Sequence, residues 1–238
     1  MLVIYIICLV ILILLIVRIL IFVAATRGAG RIIGEVKAYK RPLTNSTYQI
    51  LFMGDSTGVG VGAKDPSHSV PGRFASFFPK ANIENVSISG ARLADLDNSF
   101  KVTKKYDFIV IMIGANDIVH LTSTATAREH LLSIVKKAKQ SSLKVVILHG
   151  GNVGSSPIFP LPLRWLYSHR TKKFQKLYTQ VANSEKIIYV DMYTNLQEFP
   201  HYQNGVSTYA KDSFHPSDEG YKIWFDLIVK SIDAHSTV

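Results

Sequence analysis

Beyond residue 47 the chain alternates short, nearly unbroken apolar runs with longer stretches whose apolar positions recur every three or four residues. Tyr48–Met53, Ile83–Ser89, Tyr106–Ile113, Leu143–Leu148 and Lys186–Val190 have strand length and are rich in β-branched residues. Tyr106–Ile113 is apolar almost throughout, the pattern of a strand covered on both faces of a parallel sheet. Helical spacing appears over Thr124–Gln140 (Leu131, Leu132, Ile134, Val135, Ala138), Arg164–Ala182 (Phe174, Leu177, Tyr178, Val181) and Pro216–Ile232 (Tyr221, Trp224, Phe225, Ile228). Strands alternating with helices predict an α/β domain over residues 48–238, with a parallel sheet between two helical layers. Ligands in such folds bind beyond the carboxyl ends of the strands. Ser56, Gly90, Gly114–Asp117 and His149–Asn152 each follow a predicted strand, so their loops should share one rim.

The first 25 residues break this rhythm. They are apolar throughout except for Arg18. As a helix they would extend about 37 Å, enough to cross a hydrocarbon core of about 30 Å. Arg18 lies near enough to the end of the run to reach the interface. A cleaved signal peptide ending at Val23-Ala24-Ala25 is the rival reading. The run lacks a basic leader and exceeds the usual apolar length of about 7–15 residues, so an uncleaved single-pass anchor is expected. Residues 26–47, with Gly28, Gly30, Gly34, Pro42 and many charges, read as a linker. Arg27, Arg31, Lys37, Lys40 and Arg41 follow the apolar run, and this charge bias favours a cytoplasmic catalytic domain.

The chemistry is concentrated in four short blocks. Gly54-Asp55-Ser56-Thr57-Gly58 closes the first strand with small residues, so that a serine can stand clear of a sharp turn. Gly90 ends the second strand and leaves its N–H open to close approach. Asn116, after Ile113-Gly114-Ala115, offers an amide that donates to an oxyanion without adding charge. Asp212-Ser213-Phe214-His215 spaces an acid so that it can hold one ring nitrogen of the histidine and leave the other for Ser56. Pro216 restricts His215 to extended backbone and should open the last helix. Together these are the parts of acyl transfer through a serine nucleophile. Asp117 reads as structural.

Two other motif readings fit less well. Gly54–Gly58 matches G-x-S-x-G, but the serine follows the first strand and the acid sits three residues before the histidine, unlike α/β-hydrolases. Gly58–Ala63 fits a dinucleotide fingerprint, yet the second strand ends Ile88-Ser89-Gly90 without the acidic residue that reading requires.

The four blocks, in this order and at these separations, resemble the SGNH (GDSL) hydrolase superfamily over about residues 48–232. The run from Gly54 to Ala63 also looks like a bacterial esterase-like subgroup. The resemblance implies a flavodoxin-like three-layer α/β/α sandwich with a site that needs no metal and no cofactor. It further implies Ser56 as nucleophile, His215 as general base and then acid, and Asp212 as its orienting partner. The oxyanion would be held by the N–H groups of Ser56 and Gly90 and by the Asn116 side chain. The expected substrate is a carboxylic ester: a lysophospholipid, a short-chain acyl ester or an acetylated sugar. Acyl transfer to an alcohol at the same site, or ligand binding without turnover, are the alternatives.

Charge and composition refine this little. The net charge of +10 suits a tethered domain near anionic lipid, or simply a solvated basic surface. No nucleic-acid motif accompanies it, and the basic residues show no clear interleaving with aromatics, so a nucleic-acid partner is not expected. Cys8 is the only cysteine, which excludes an internal disulfide and a cysteine-based metal site. His149 and Asn152 could line the substrate pocket. The proline-broken stretch Pro157–Tyr167 is expected to pack on the domain, with an acyl-binding wall or lipid contact as the alternative. Trp224 and Phe225 read as core, and the remaining histidines show no ligand spacing.

Overall fold

The computed structural model describes residues 36–101, 104–195, 202–203 and 206–235, together with positions 5, 6 and 9. The expected membrane helix over residues 1–25 otherwise lies outside the described residues. Among the described residues no helix is long and apolar enough to cross a membrane.

In chain order, β1 (Tyr48–Gly54) leads into the short α1 (Ser56–Val59) and then α2 (Val70–Phe77). β2 (Ala81–Asn85), α3 (Leu93–Ser99), β3 (Tyr106–Met112), α4 (Ala115–Val119), α5 (Thr124–Ser141) and β4 (Ser142–Leu148) follow. A 3-10 turn, Val153–Ser155, precedes the long α6 (Leu161–Glu185). β5 (Ile188–Tyr189), α7 (Met192–Asn195), the short strands β6 (Tyr202–Gln203) and β7 (Val206–Ser207), and α8 (Asp218–Ala234) complete the domain. The main sheet has the order β2-β1-β3-β4-β5. Every pair in it is parallel. This is the flavodoxin-like order, in which the chain reverses direction across the sheet between β1 and β3.

Because strand side chains alternate, each strand feeds two cores. Leu51, Met53, Ile109, Ile111, Val145 and Ile147 pack against α3, α5 and α6. Ile50, Phe52, Val110, Met112, Val146 and Leu148 face α2 and α8. Phe52, Phe74 and Phe225 meet edge-on in this second layer. Each large apolar side chain so buried contributes about 1.5–3 kcal/mol. The expected three-layer α/β architecture is therefore the one observed.

Element bounds differ from the sequence expectation in ways that have local causes. β2 starts at Ala81 and ends at Asn85, although Val86 and Ile88 continue to donate to the carbonyls of Phe52 and Gly54. Their side chains are exposed, so β-branching there marks an extended loop rather than a buried strand. β5 is shorter than expected because Lys186 is the left-handed cap of α6, with φ +54°. α6 starts three residues earlier than Arg164, with Pro162 in the first turn, where a missing N–H costs nothing. The last helix does not open at Pro216: Ser217 is its cap and accepts from the Gly220 N–H. α2 escaped the sequence reading because Pro71 and Gly72 mask it, yet Pro71 sits in its first turn and Ser69 caps it.

The described part of the 26–47 linker docks onto the domain. Arg41 forms an antiparallel bridge with Ile83, and its guanidinium donates to the carbonyls of Ala75, Phe78 and Ala81. The Leu43 N–H donates to Asn82 Oδ1 at 3.0 Å.

Candidate active site

The turn after β1 is built around a close approach that only glycine allows. Gly54 has φ +154°, and a Cβ there would lie 1.9 Å from the Met112 carbonyl oxygen of β3. The next N–H, of Asp55, donates to that same oxygen at 2.9 Å. Asp55 then caps α1, its carboxylate accepting from the Thr57 N–H at 2.9 Å and the Thr57 hydroxyl at 2.8 Å. Ser56 is thereby fixed as the first residue of α1, at the carboxyl end of a central strand. Burial drives the Asp55 carboxyl up to about 6, against the lowering effect of its two Thr57 hydrogen bonds.

The Asp212–His215 loop closes over this serine. Ser213 sits at φ +58°, which folds the segment back so that Asp212 Oδ1 accepts from the N–H groups of Phe214 at 2.9 Å and His215 at 3.0 Å. Asp212 Oδ2 lies 2.6 Å from His215 Nδ1, and His215 Nε2 lies 2.8 Å from Ser56 Oγ. All three side chains are buried. Burial works to raise the Asp212 carboxyl, but its hydrogen bonds to the His215 ring and to the two backbone donors together hold it below the usual value. An ionised carboxylate has no proton to give, so Nδ1 carries the hydrogen and Nε2 accepts from the Ser56 hydroxyl.

The two ends of this hydrogen-bonded chain are far apart in sequence and are clamped together from both sides. Gly62, at φ +97°, lets the glycine-rich loop pass so close that a Cβ would lie 2.5 Å from the Pro216 carbonyl and 3.0 Å from His215 Cβ. From α8, the Tyr221 hydroxyl donates to the Val61 carbonyl at 2.7 Å. Within the run Gly58–Ala63, Gly58 and Gly60 make close approaches to Ser87 and Ser69, and Gly62 packs against the histidine loop.

Ser56, Asn116, Asn152 and His215 open into one cavity of about 670 Å³, its solvent-open part included. Asn116 stands in the first turn of α4 and spends one amide N–H on the Ala91 carbonyl at 3.0 Å. Its amide has a second N–H. Gly90, at φ +82°, is the residue before that carbonyl; it lines the adjoining groove with Gly54 and Ile88 rather than the cavity of Ser56. Asp117 does not face the site: its carboxylate accepts from the Leu93 N–H at 2.9 Å and joins α4 to α3.

His149 is a correction to the sequence reading, since it does not line the cavity. Its ring is buried, with Nδ1 bonded to the Gly150 carbonyl and Nε2 2.9 Å from the Tyr189 hydroxyl. Burial pushes it down to about 4 despite the Gly150 bond, so it is a neutral core residue. Asn152 does line the cavity, while its Oδ1 accepts from the Gly154 N–H at 3.2 Å and shapes the 3-10 turn. Trp224, expected in the core alone, is mostly buried yet reaches the cavity wall, as do Val153, Tyr209 and Phe214. A tryptophan at helical spacing carries the same pattern whether it packs a core or walls a pocket, so no sequence signal marked it. Among the described residues no group of three or more His, Cys, Asp or Glu side chains could hold a metal ion.

Residues 52–223 match the profile of the GDSL-like lipase/acylhydrolase family. The chain belongs to that family. Its members are hydrolases of the SGNH type, as the four sequence blocks implied. A GDSL-like esterase of Mycobacterium tuberculosis is 25% identical over 217 residues, covering 85% of this chain. The match spans 66% of that esterase, so the relative is substantially longer. Among solved structures, TesA superposes with a TM-score of 0.61 at 22% identity, covering 77% of this chain and 97% of TesA. Axe2, an acetylxylan esterase from Geobacillus stearothermophilus, gives 0.57 at 20% identity, with 79% of this chain and 95% of Axe2 covered. These likenesses are in fold.

Proposed function

We propose that this SGNH hydrolase cleaves carboxylic esters through an acyl-enzyme on Ser56. The observation that carries the proposal is the unbroken chain Asp212–His215–Ser56, held at 2.6 and 2.8 Å and opening into a cavity with an apolar wall. His215 Nε2 takes the Ser56 proton as Oγ attacks the acyl carbonyl. The same nitrogen then returns the proton to the leaving alcohol, and a water activated by His215 releases the acid. Asp212 holds the ring in the tautomer that this requires. The N–H groups of Ser56 and Gly90 and the Asn116 amide are the proposed oxyanion donors, each worth about 3 kcal/mol. Val153, Phe214 and Trp224 form the surface against which an acyl chain or a compact apolar alcohol would lie.

The substrate class stays within lysophospholipids, short-chain acyl esters and acetylated sugars. The esterase names of the relatives support ester chemistry and the acetylxylan esterase keeps the acetylated sugar in view. The 25-residue apolar run supports a membrane tether, and the basic residues after it support a cytoplasmic site.

The test is hydrolysis of p-nitrophenyl acetate, butyrate and octanoate by the full chain in detergent, beside Ser56→Ala. Activity that the substitution abolishes, with an acyl adduct on Ser56 of the parent trapped by acid quench after brief exposure to substrate, supports the proposal. Equal rates in the two proteins would overturn it.

A further inference from the structure

We propose that the outer face of α6 docks on an anionic phospholipid surface and so holds the domain against the lipid headgroups. This rests on the membrane tether of the preceding section. The first turns of α6 expose three large apolar side chains, Leu161 at 63%, Trp165 at 72% and Leu166 at 41%. Continuing at helical spacing along the same exposed side come His169, Lys172, Lys173 and Lys176. The face is thus apolar at one end and cationic along the rest. No acidic residue occurs in α6 before Glu185, the last residue of the helix.

The two arginines of this helix are used elsewhere, which singles out the lysines. Arg164 donates to the Phe159 carbonyl at 2.8 Å, and Arg170 donates to the carbonyls of Ile118 at 3.0 Å and Thr122 at 2.6 Å. Both turn back onto the domain. A helix lying on a bilayer needs an apolar segment that enters the headgroup layer and cations that meet phosphates. Tryptophan is the side chain best suited to that boundary.

The inner side of the helix packs toward the site. Phe159 packs between Tyr167 of α6 and Phe214, with ring centroids 4.7 and 5.8 Å away, and Phe214 in turn lies 5.0 Å from the His215 ring. The 3-10 turn that lines the cavity is fastened to α6 by the Val153 N–H, which donates to Thr171 Oγ1 at 3.3 Å. The buried side of the helix that carries Trp165 is thus joined to the wall of the Ser56 cavity. A bilayer is favoured over a second copy of this chain because the net charge of +10 makes two copies repel, whereas an anionic surface attracts. The apolar run at residues 1–25 would also bring such a surface within reach.

The chain has only two tryptophans, which makes the contact readable by fluorescence. Full-length protein is reconstituted into phosphatidylcholine vesicles with or without phosphatidylglycerol, using ordinary or brominated acyl chains. Trp165 should be quenched by brominated lipid when phosphatidylglycerol is present. Trp165→Phe, which leaves the largely buried Trp224, should lose most of that quenching. Each lysine near an anionic surface multiplies the docked-to-undocked ratio roughly fivefold, so Lys172→Gln, Lys173→Gln and Lys176→Gln together should lower it roughly a hundredfold. All variants should keep the parent's rate on a soluble p-nitrophenyl ester, which reports that they are folded. Unquenched Trp165 in brominated anionic vesicles overturns the docking proposal, as does quenching that is indifferent to phosphatidylglycerol and to the three lysines. A Trp165-dependent dimer in detergent with no quenching would assign the face to a second copy instead. The tether is read separately by extraction at alkaline pH. Protein that resists extraction without quenching keeps the tether and loses the docking face; protein that is quenched but extracted does the reverse.

Discussion

Asp212→Asn separates the two jobs of this side chain, holding a loop and setting a tautomer. Asp212 Oδ1 accepts from two backbone N–H groups, at 2.9 and 3.0 Å, and Oδ2 meets His215 Nδ1 at 2.6 Å. An asparagine keeps Oδ1 for both backbone donors, so the loop around Ser213 should survive. Its Nδ2 is a donor, however, and faces Nδ1. The ring can satisfy it only by accepting at Nδ1, which moves the ring hydrogen to Nε2 and points it at Ser56. Histidine in that tautomer cannot take the serine proton. A carboxylate-to-amide change of this kind in a Ser-His-Asp site costs about 10⁴ in kcat, or roughly 5.5 kcal/mol of transition-state stabilisation. KM should change little, since Asp212 does not touch the substrate. The assay is steady-state hydrolysis of p-nitrophenyl butyrate alongside thermal unfolding, with a fluorophosphonate probe reporting Ser56 reactivity. Loss of kcat with an unchanged Tm is the expected result. A variant retaining more than a tenth of the parent's kcat would refute the role of Asp212 in orienting His215. A collapse of Tm would show that the loop needs the carboxylate itself, and Asp212→Glu, which keeps one, would then be the more stable of the two variants.

Two further outcomes follow from the same geometry. Asn116→Ala should lower kcat about a hundredfold or more with little effect on KM, because the amide donates to charge that develops only in the transition state; a proportional rise in KM alone would make it a ground-state binding residue. Asp55 and His149 should tilt the pH dependence of stability in opposite directions. The Asp55 carboxyl is raised to about 6, so its contribution is fully present below the unfolded value near 3.8 and is lost as pH rises through 6. The His149 imidazole is lowered to about 4, so its contribution is present above 6.5 and is lost as pH falls through 4. Each shift corresponds to about 3 kcal/mol, so the two nearly offset between pH 4 and 6.5. Asp55→Asn removes one side of that balance. Relative to the parent, its urea-unfolding stability should fall by about 2–3 kcal/mol between pH 7 and pH 4, and parallel profiles would show that Asp55 does not titrate in this range.

What the sequence disclosed and what it hid follow from how local each signal is. Buried parallel strands announce themselves because both faces are apolar, which is why Tyr106–Ile113 was legible almost to the residue while β2 was not. Val86 and Ile88 have strand chemistry and even strand hydrogen bonds, yet their side chains face solvent, and only the third dimension distinguishes the two cases. Ser56, Asp212 and His215 stood out because turn geometry, a three-residue spacing and chemical type coincide in short segments. The cavity wall did not, since Val153, Tyr209, Phe214 and Trp224 come from separate segments and each has an ordinary packing reason to exist. His149 misled for the complementary reason: it follows a strand at the correct rim, but Tyr189 and the Gly150 carbonyl capture its ring from below. Position along the sheet says which loops meet at the rim. Whether a side chain in such a loop turns toward the substrate or back into the core depends on partners tens of residues away. That dependence is also why the Gly58–Ala63 run looked like a nucleotide fingerprint: glycines that admit a phosphate and glycines that admit the backbone of a neighbouring loop are identical in sequence. Here the neighbour is the His215 loop, pressed against Gly62.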